Sequence, residues 1–173
     1  MLTIVYKNSV RFIVLVLFQV LIVKNMEVGR FIVPFTYPLF LLWLPFEINN
    51  LLLLGIAFVT GLTVDLFYST PGLHAGASVL IAFVRPKVYG LFSPREGYEN
   101  GAEPTIGYMG ASWVLTSYGL LLFMLHSAVF FLEVYRLSEF FSTLLRAILS
   151  AAFSLAICVL AQYLVLNKKK TGL

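Results

Sequence analysis

Residues 51–86 read LLLLGIAFVTGLTVDLFYSTPGLHAGASVLIAFVRP. Two apolar runs meet at a short polar turn, with one acid, Asp65, just before it. The run from about Asn50 to Phe67 holds eleven Leu, Ile, Phe and Val residues. Each returns about 0.3–0.6 kcal/mol on insertion, roughly 5 kcal/mol together, against about 3 kcal/mol for an aspartate at the membrane centre. The run therefore inserts with its acid. It inserts as a helix, because lipid offers its backbone no hydrogen-bond partner. In STPG, residues 69–72, Pro71 suits the second turn position and Gly72 the third, where a type II turn requires positive φ. The chain reverses there. His74 opens the returning helix, about Leu73 to Leu91, and Asp65 and His74 face each other across the hairpin.

The rest of the chain has the same character. Its 173 residues are 60% hydrophobic and 12% charged, with mean hydropathy +0.93. Soluble domains carry about 25% charged residues. A water-soluble fold of this composition would have too apolar a surface, so the solvent is lipid. The length suits one domain. Apolar runs are continuous rather than alternating, which argues against a β-barrel. The single cysteine, Cys158, rules out an intrachain disulfide. No repeat is present, and no segment is polar enough for an appended water-soluble domain.

Six runs are candidate membrane spans. Besides the hairpin pair, they cover about Val5 to Val23, the stretch FIVPFTYPLFLLWLP from Phe31, about Ala111 to Leu132, and about Phe140 to Leu166. The first lacks a small-residue cleavage pattern and is expected to be a retained span rather than a cleaved signal peptide. The second holds three prolines. Pro34 suits a first helical turn, whereas Pro38 removes an interior hydrogen bond, so a kinked helix is expected.

Charge placement orients the spans. With six crossings both termini share one side. That side holds Lys7, Arg11, Arg85, Lys87, Arg95, Lys168, Lys169 and Lys170; the other holds Lys24, Arg30 and Arg136. Both termini are therefore expected in the cytoplasm. Tyr6, Tyr89, Tyr108, Trp113 and Tyr135 suit interfacial belts. The loop at residues 85–110 reads as a solvated connector or as a docking site for a cytosolic protein, with Arg85, Lys87 and Arg95 as its cations.

The remaining polar groups share a depth near the outer end. Asp65, His74, His126 and Arg146 shape an outward polar pocket, anchor a partner's helix, or pair internally, Asp65 with Arg146. Gln19 and Gln162 suit interhelical hydrogen bonds. Ala147 and Ala151, Ser150 and Ser154, and Ala152 and Ala156 are each four apart, a spacing that lets helices approach closely. No metal-ligand set, nucleophile elbow or phosphate-binding loop is present. The expectation is a non-enzymatic protein without cofactor, metal or nucleic-acid partner.

Residues 51–86 resemble the MreD family of rod shape-determining membrane proteins. The resemblance rests on Gly61, Leu62 and Asp65, then Pro71, Gly72 and His74, then Arg85 and Pro86. The stretches SPREGYENGAEPTIGY and FFLEVYRLSEFFSTLLR are also similar to one branch of the family. The resemblance implies an all-α, six-helix transmembrane bundle similar to the substrate-binding subunit of energy-coupling-factor transporters. It implies a bacterial inner-membrane scaffold that binds MreC and works with MreB filaments, RodA and its partner transpeptidase in peptidoglycan synthesis. Asp65, His74 and Arg146 would then shape the cavity that receives MreC. The alternative is a vitamin-binding transporter subunit. Against it, the first helix, VRFIVLVLFQVLIV, lacks the alanine-rich spacing with which such subunits contact their coupling protein.

Overall fold

The computed structural model describes residues 2–26, 31–99, 101–135 and 137–170; side chains are described from Tyr6 to Leu164, Leu137 excepted. Arg30 and Arg136 lie outside the described residues, as do the side chains of Lys168, Lys169 and Lys170.

Every regular element among the described residues is helical. Helix α1 spans Leu2–Leu21 and continues into a 3-10 turn, Val23–Asn25. The others are α2 (Pro38–Trp43), α3 (Asn50–Tyr68), α4 (Leu73–Leu91), α5 (Ile106–Met109), α6 (Ala111–Val134) and α7 (Phe140–Lys170). Four stretches are long and apolar enough to cross a membrane: Tyr6–Asn25, Asn50–Tyr68, Ala111–Val134 and Phe140–Leu164. The chain is an all-α, multi-pass membrane protein.

Helix α4 is as long as α3 but carries His74, Arg85 and Lys87, and it is not one of the four. It packs between α3 and α6. Buried there are His74, Ser78, Ile81, Arg85 and Tyr89. Helices α3, α4, α6 and α7 are successive neighbours, and α1 lies against α3. One end of the bundle carries the Asp65 turn and is the hairpin end. The other gathers the start of α1, residues 45–49 and the loop from Phe92 to Thr105.

The second apolar run is not the kinked helix its composition predicts. Its only helical part is α2, six residues long. Pro38 sits at the start of that helix, where its missing N–H removes no intrahelical bond. Pro34 lies in no helix. Yet this is the most deeply buried segment: Phe35, Tyr37, Leu39, Leu41 and Leu42 are at most 2% exposed. Among the described residues, five long helices therefore lie around this broken segment.

The α3–α4 hairpin closes through Gly61. A Cβ there would lie 2.4 Å from the His74 carbonyl oxygen and 2.5 Å from the Ala75 Cα. Only a glycine lets the two backbones meet so closely. At the other end of α3, the Asn49 side chain caps the helix, accepting the Leu51 N–H at 2.9 Å.

Candidate functional site

The turn between α3 and α4 is built as its residues require. Gly72 has φ +87° and ψ −7°, and the Leu73 N–H donates to the Thr70 carbonyl at 3.2 Å. This is the type II turn, with Pro71 and Gly72 at its centre. A glycine at the cap of α4 provides no side chain for that helix's first N–H groups. Asp65 provides it from α3. One carboxylate oxygen accepts the Thr70 hydroxyl and the His74 N–H, both at 2.9 Å. The other accepts the Gly72 N–H at 3.2 Å and the Ala75 N–H at 2.9 Å. The carboxylate is 2% exposed, yet it is fully hydrogen-bonded and lies at the positive end of the α4 dipole.

Asp65 therefore does not pair with Arg146. The Arg146 guanidinium sits over the Phe130 ring, 4.2 Å from its centroid, and meets Glu133 at 3.3 Å. Helices α6 and α7 are joined by this pair, and its charge is met locally.

His74 and His126 converge on one aromatic ring. The Phe35 ring stacks on His126 at 4.8 Å and meets His74 edge-on at 4.9 Å. The Tyr37 hydroxyl shares a hydrogen bond with His74 Nδ1 at 3.2 Å. His126 Nδ1 donates to the Leu122 carbonyl at 2.7 Å, leaving Nε2 to accept the Ser154 hydroxyl at 3.1 Å. Phe35 fills the space between His74 and His126.

The partners of these groups belong to the non-helical segment. The Val33 N–H donates to Ser150 Oγ at 3.0 Å, and the Phe35 N–H to Ser154 Oγ at 2.8 Å. The two serines, four residues apart on a helix, are separated by about 6 Å along its axis. Two residues of chain reach about 6.6 Å only when extended. Residues 33–35 therefore run extended alongside α7. Gln19 accepts the Thr36 N–H at 2.6 Å and donates to the Pro34 carbonyl at 3.3 Å and the Tyr68 hydroxyl at 2.6 Å. At the far end of α2, Arg85 donates to the carbonyls of Leu44 and Pro45, while Tyr89 and Tyr118 both donate to the Leu42 carbonyl. An unwound backbone at membrane depth is tolerated only where protein satisfies it. These buried polar side chains form that cradle.

Arg85 is thus a cap for α2 rather than part of a docking loop. It is 2% exposed and lies 4.7 Å from the Tyr89 ring centroid. Helix α4 continues to Leu91, so the loop begins at Phe92. Lys87 and Arg95 are exposed at that end. Tyr89, placed in an interfacial belt by sequence, is buried in the same cluster. Gln162 joins α7 to α5 by accepting the Ile106 N–H at 2.7 Å. Ala147, Ser150, Ala151 and Ser154 are buried, whereas Ala152 and Ala156 are exposed.

The loop from Phe92 onward is tied down. Glu103 receives Arg11 through both oxygens, at 3.0 and 2.9 Å, and Lys7 at 2.6 Å. Partial burial alone would raise the Glu103 pKa; the hydrogen bonds and charges of Arg11 and Lys7 outweigh it and hold the carboxyl below its ordinary value. Phe46 stacks on Tyr98 at 3.8 Å, with Trp113 and Tyr89 edge-on to Phe46. Among the described residues no three metal-ligating side chains converge, and Cys158 is buried alone.

The geometry defines a multi-pass membrane protein whose buried polar groups hold its own backbone. No family model matches the chain, and neither a curated protein nor a solved structure matches it.

Proposed function

We propose that this chain is a non-catalytic scaffold of the MreD type. In this reading it lies in the bacterial inner membrane with both termini cytoplasmic. It binds MreC and helps couple MreB filaments to peptidoglycan synthesis by RodA and its transpeptidase. The observation that carries the reading is the α3–α4 hairpin. Gly61, Asp65, Gly72 and Arg85, all within the stretch that resembles the family, each hold the hairpin together or tie it to the broken traverse.

Two further features support it. The ionisable side chains at membrane depth are engaged internally, which suits a framework better than a catalyst. The broken traverse combines five non-helical residues, 32–36, with the six helical ones of α2, at most about 16 Å plus about 9 Å. That approaches a hydrocarbon core of about 30 Å, so six crossings, as in the energy-coupling-factor subunits, are physically possible. In that topology Lys87 and Arg95 face the cytoplasm. A vitamin carrier would require an outward pocket with several placed polar groups, whereas Phe35 fills the space between His74 and His126.

Depletion of the protein in its native host tests the reading. Rod-shaped cells should become round, and a Gly61→Leu chain should fail to restore them. Cells that keep their width and shape after depletion would count against it.

A further inference from the structure

One opening lies away from Asp65. It is a groove of about 1350 Å³ between α1 and α3, floored by Phe40, Leu44 and Pro45. Phe12 packs edge-on to Phe40 at 5.4 Å and props α1 away from α3. Toward the hairpin end the two helices close again, through Gln19 to Tyr68 and Lys24 to the Phe67 carbonyl, both at 2.6 Å. The groove is a wedge that opens at one end.

Its depth decides what it can hold. The α3 wall runs from Leu51 to Thr60, about 14 Å along the helix axis. A bilayer core is about 30 Å thick, so the groove spans one leaflet. A transmembrane helix would need a groove twice as long, whereas an acyl chain enters from one leaflet and ends at mid-depth. The wall has room for it: a Cβ added at Gly55 would meet nothing within 4 Å.

The rim is most polar at the open end, where Asn8, Ser9, Glu47 and Asn49 lie. The closed end has Thr60, whose hydroxyl donates to the Ile56 carbonyl at 2.7 Å. Arg11 and Lys7 are turned to Glu103. The exposed Glu47 carboxylate accepts the Gly101 N–H at 3.2 Å, and no salt bridge to it is formed among the described residues. An uncompensated carboxylate beside an apolar slot favours an ammonium headgroup and repels an anionic one.

We propose that this groove is a binding site for one membrane phospholipid with an ammonium headgroup, its acyl chain between α1 and α3 and its headgroup at Glu47. The proposal does not depend on the scaffold reading.

The full chain, reconstituted in vesicles of equal phosphatidylethanolamine and phosphatidylglycerol with matched chains, is extracted, stripped of loose lipid and weighed intact by native mass spectrometry. The wild type should retain one phosphatidylethanolamine. Filling the slot with Gly55→Leu should cut retention about tenfold, the loss of about two methylene contacts. Ser9→Trp fills the opposite wall if Gly55→Leu does not fold. Glu47→Gln should keep a bound lipid and lose the headgroup preference. Equal retention by the wild type and a folded filling variant would show annular lipid only and overturn the site. A wild type without headgroup preference would overturn the role of Glu47. A photo-crosslinker at Ile56 that yields a protein adduct in native membranes, rather than a lipid adduct, would overturn the choice of occupant.

Discussion

One carboxylate oxygen of Asp65 accepts the backbone N–H of His74 at 2.9 Å, across the turn that joins α3 to α4. The acid is a cap supplied in trans to a helix whose own cap position is glycine. Removing it leaves the N–H groups of Gly72, His74 and Ala75 without an acceptor. Asp65→Ala should destabilise the protein by roughly 3 kcal/mol, since a bond to a charged group contributes about 1.5–3 kcal/mol. Asp65→Asn, which keeps an acceptor oxygen, should lose less. Unfolding midpoints in one detergent give the order, and an alanine variant as stable as wild type would refute the capping role.

The two glycines of α3 should behave in opposite ways. Gly61→Ala drives a methyl into the α4 backbone, where no side chain can move aside. It should abolish a monodisperse peak in detergent chromatography. Gly55→Ala faces open space and should elute as wild type, with a slight gain in stability from helix propensity. Equal behaviour of the two would mean the hairpin is not packed as described.

The sequence makes the hairpin legible because its signals are local: an apolar run, an acid, Pro-Gly and a returning run. The bounds of α4, Leu73–Leu91, follow from them directly. The broken segment around α2 is not legible in the same way. Hydropathy reports that residues 31–45 belong in an apolar interior, and they do, but it is blind to whether their backbone is helical. The groups that allow it to unwind are Ser150 and Ser154, more than a hundred residues away. Sequence spacing marks those serines as small packing residues, and their hydroxyls become visible as acceptors only in three dimensions. Arg85 is missed for a related reason: its proximity to Pro86 and Lys87 suggests a loop, and nothing local reveals the carbonyls of Leu44 and Pro45.

Those serines carry the next prediction. Ser154→Ala removes the acceptor of the Phe35 N–H and the donor to His126. It should cost about 1–3 kcal/mol, the range for orphaning a buried donor. The Phe35 amide should exchange with deuterium faster than in wild type, while amides in the middle of α3 stay protected. Unchanged protection at Phe35 would contradict the extended packing against α7.

The Glu103 clasp should make stability depend on pH. Its carboxyl is held below the ordinary value of 4.5 by Arg11 and Lys7. A depressed folded pKa stabilises the protein fully above the unfolded value, and the effect is lost as pH falls through the folded one. Glu103→Gln should therefore lower the unfolding midpoint at pH 7, and the gap to wild type should close as pH drops below about 4.5. A gap that stays constant over that range would mean the charge contributes nothing.

The proposed function is scaffolding, in which this membrane protein would act by assembling others. The most direct test is purification of the tagged chain from native membranes in mild detergent, with mass spectrometry of the proteins that accompany it. A single-span coiled-coil protein together with cell-wall synthases is the result expected of the scaffold. A pair of ATPases with a membrane coupling subunit would contradict it and return the chain to the transporters.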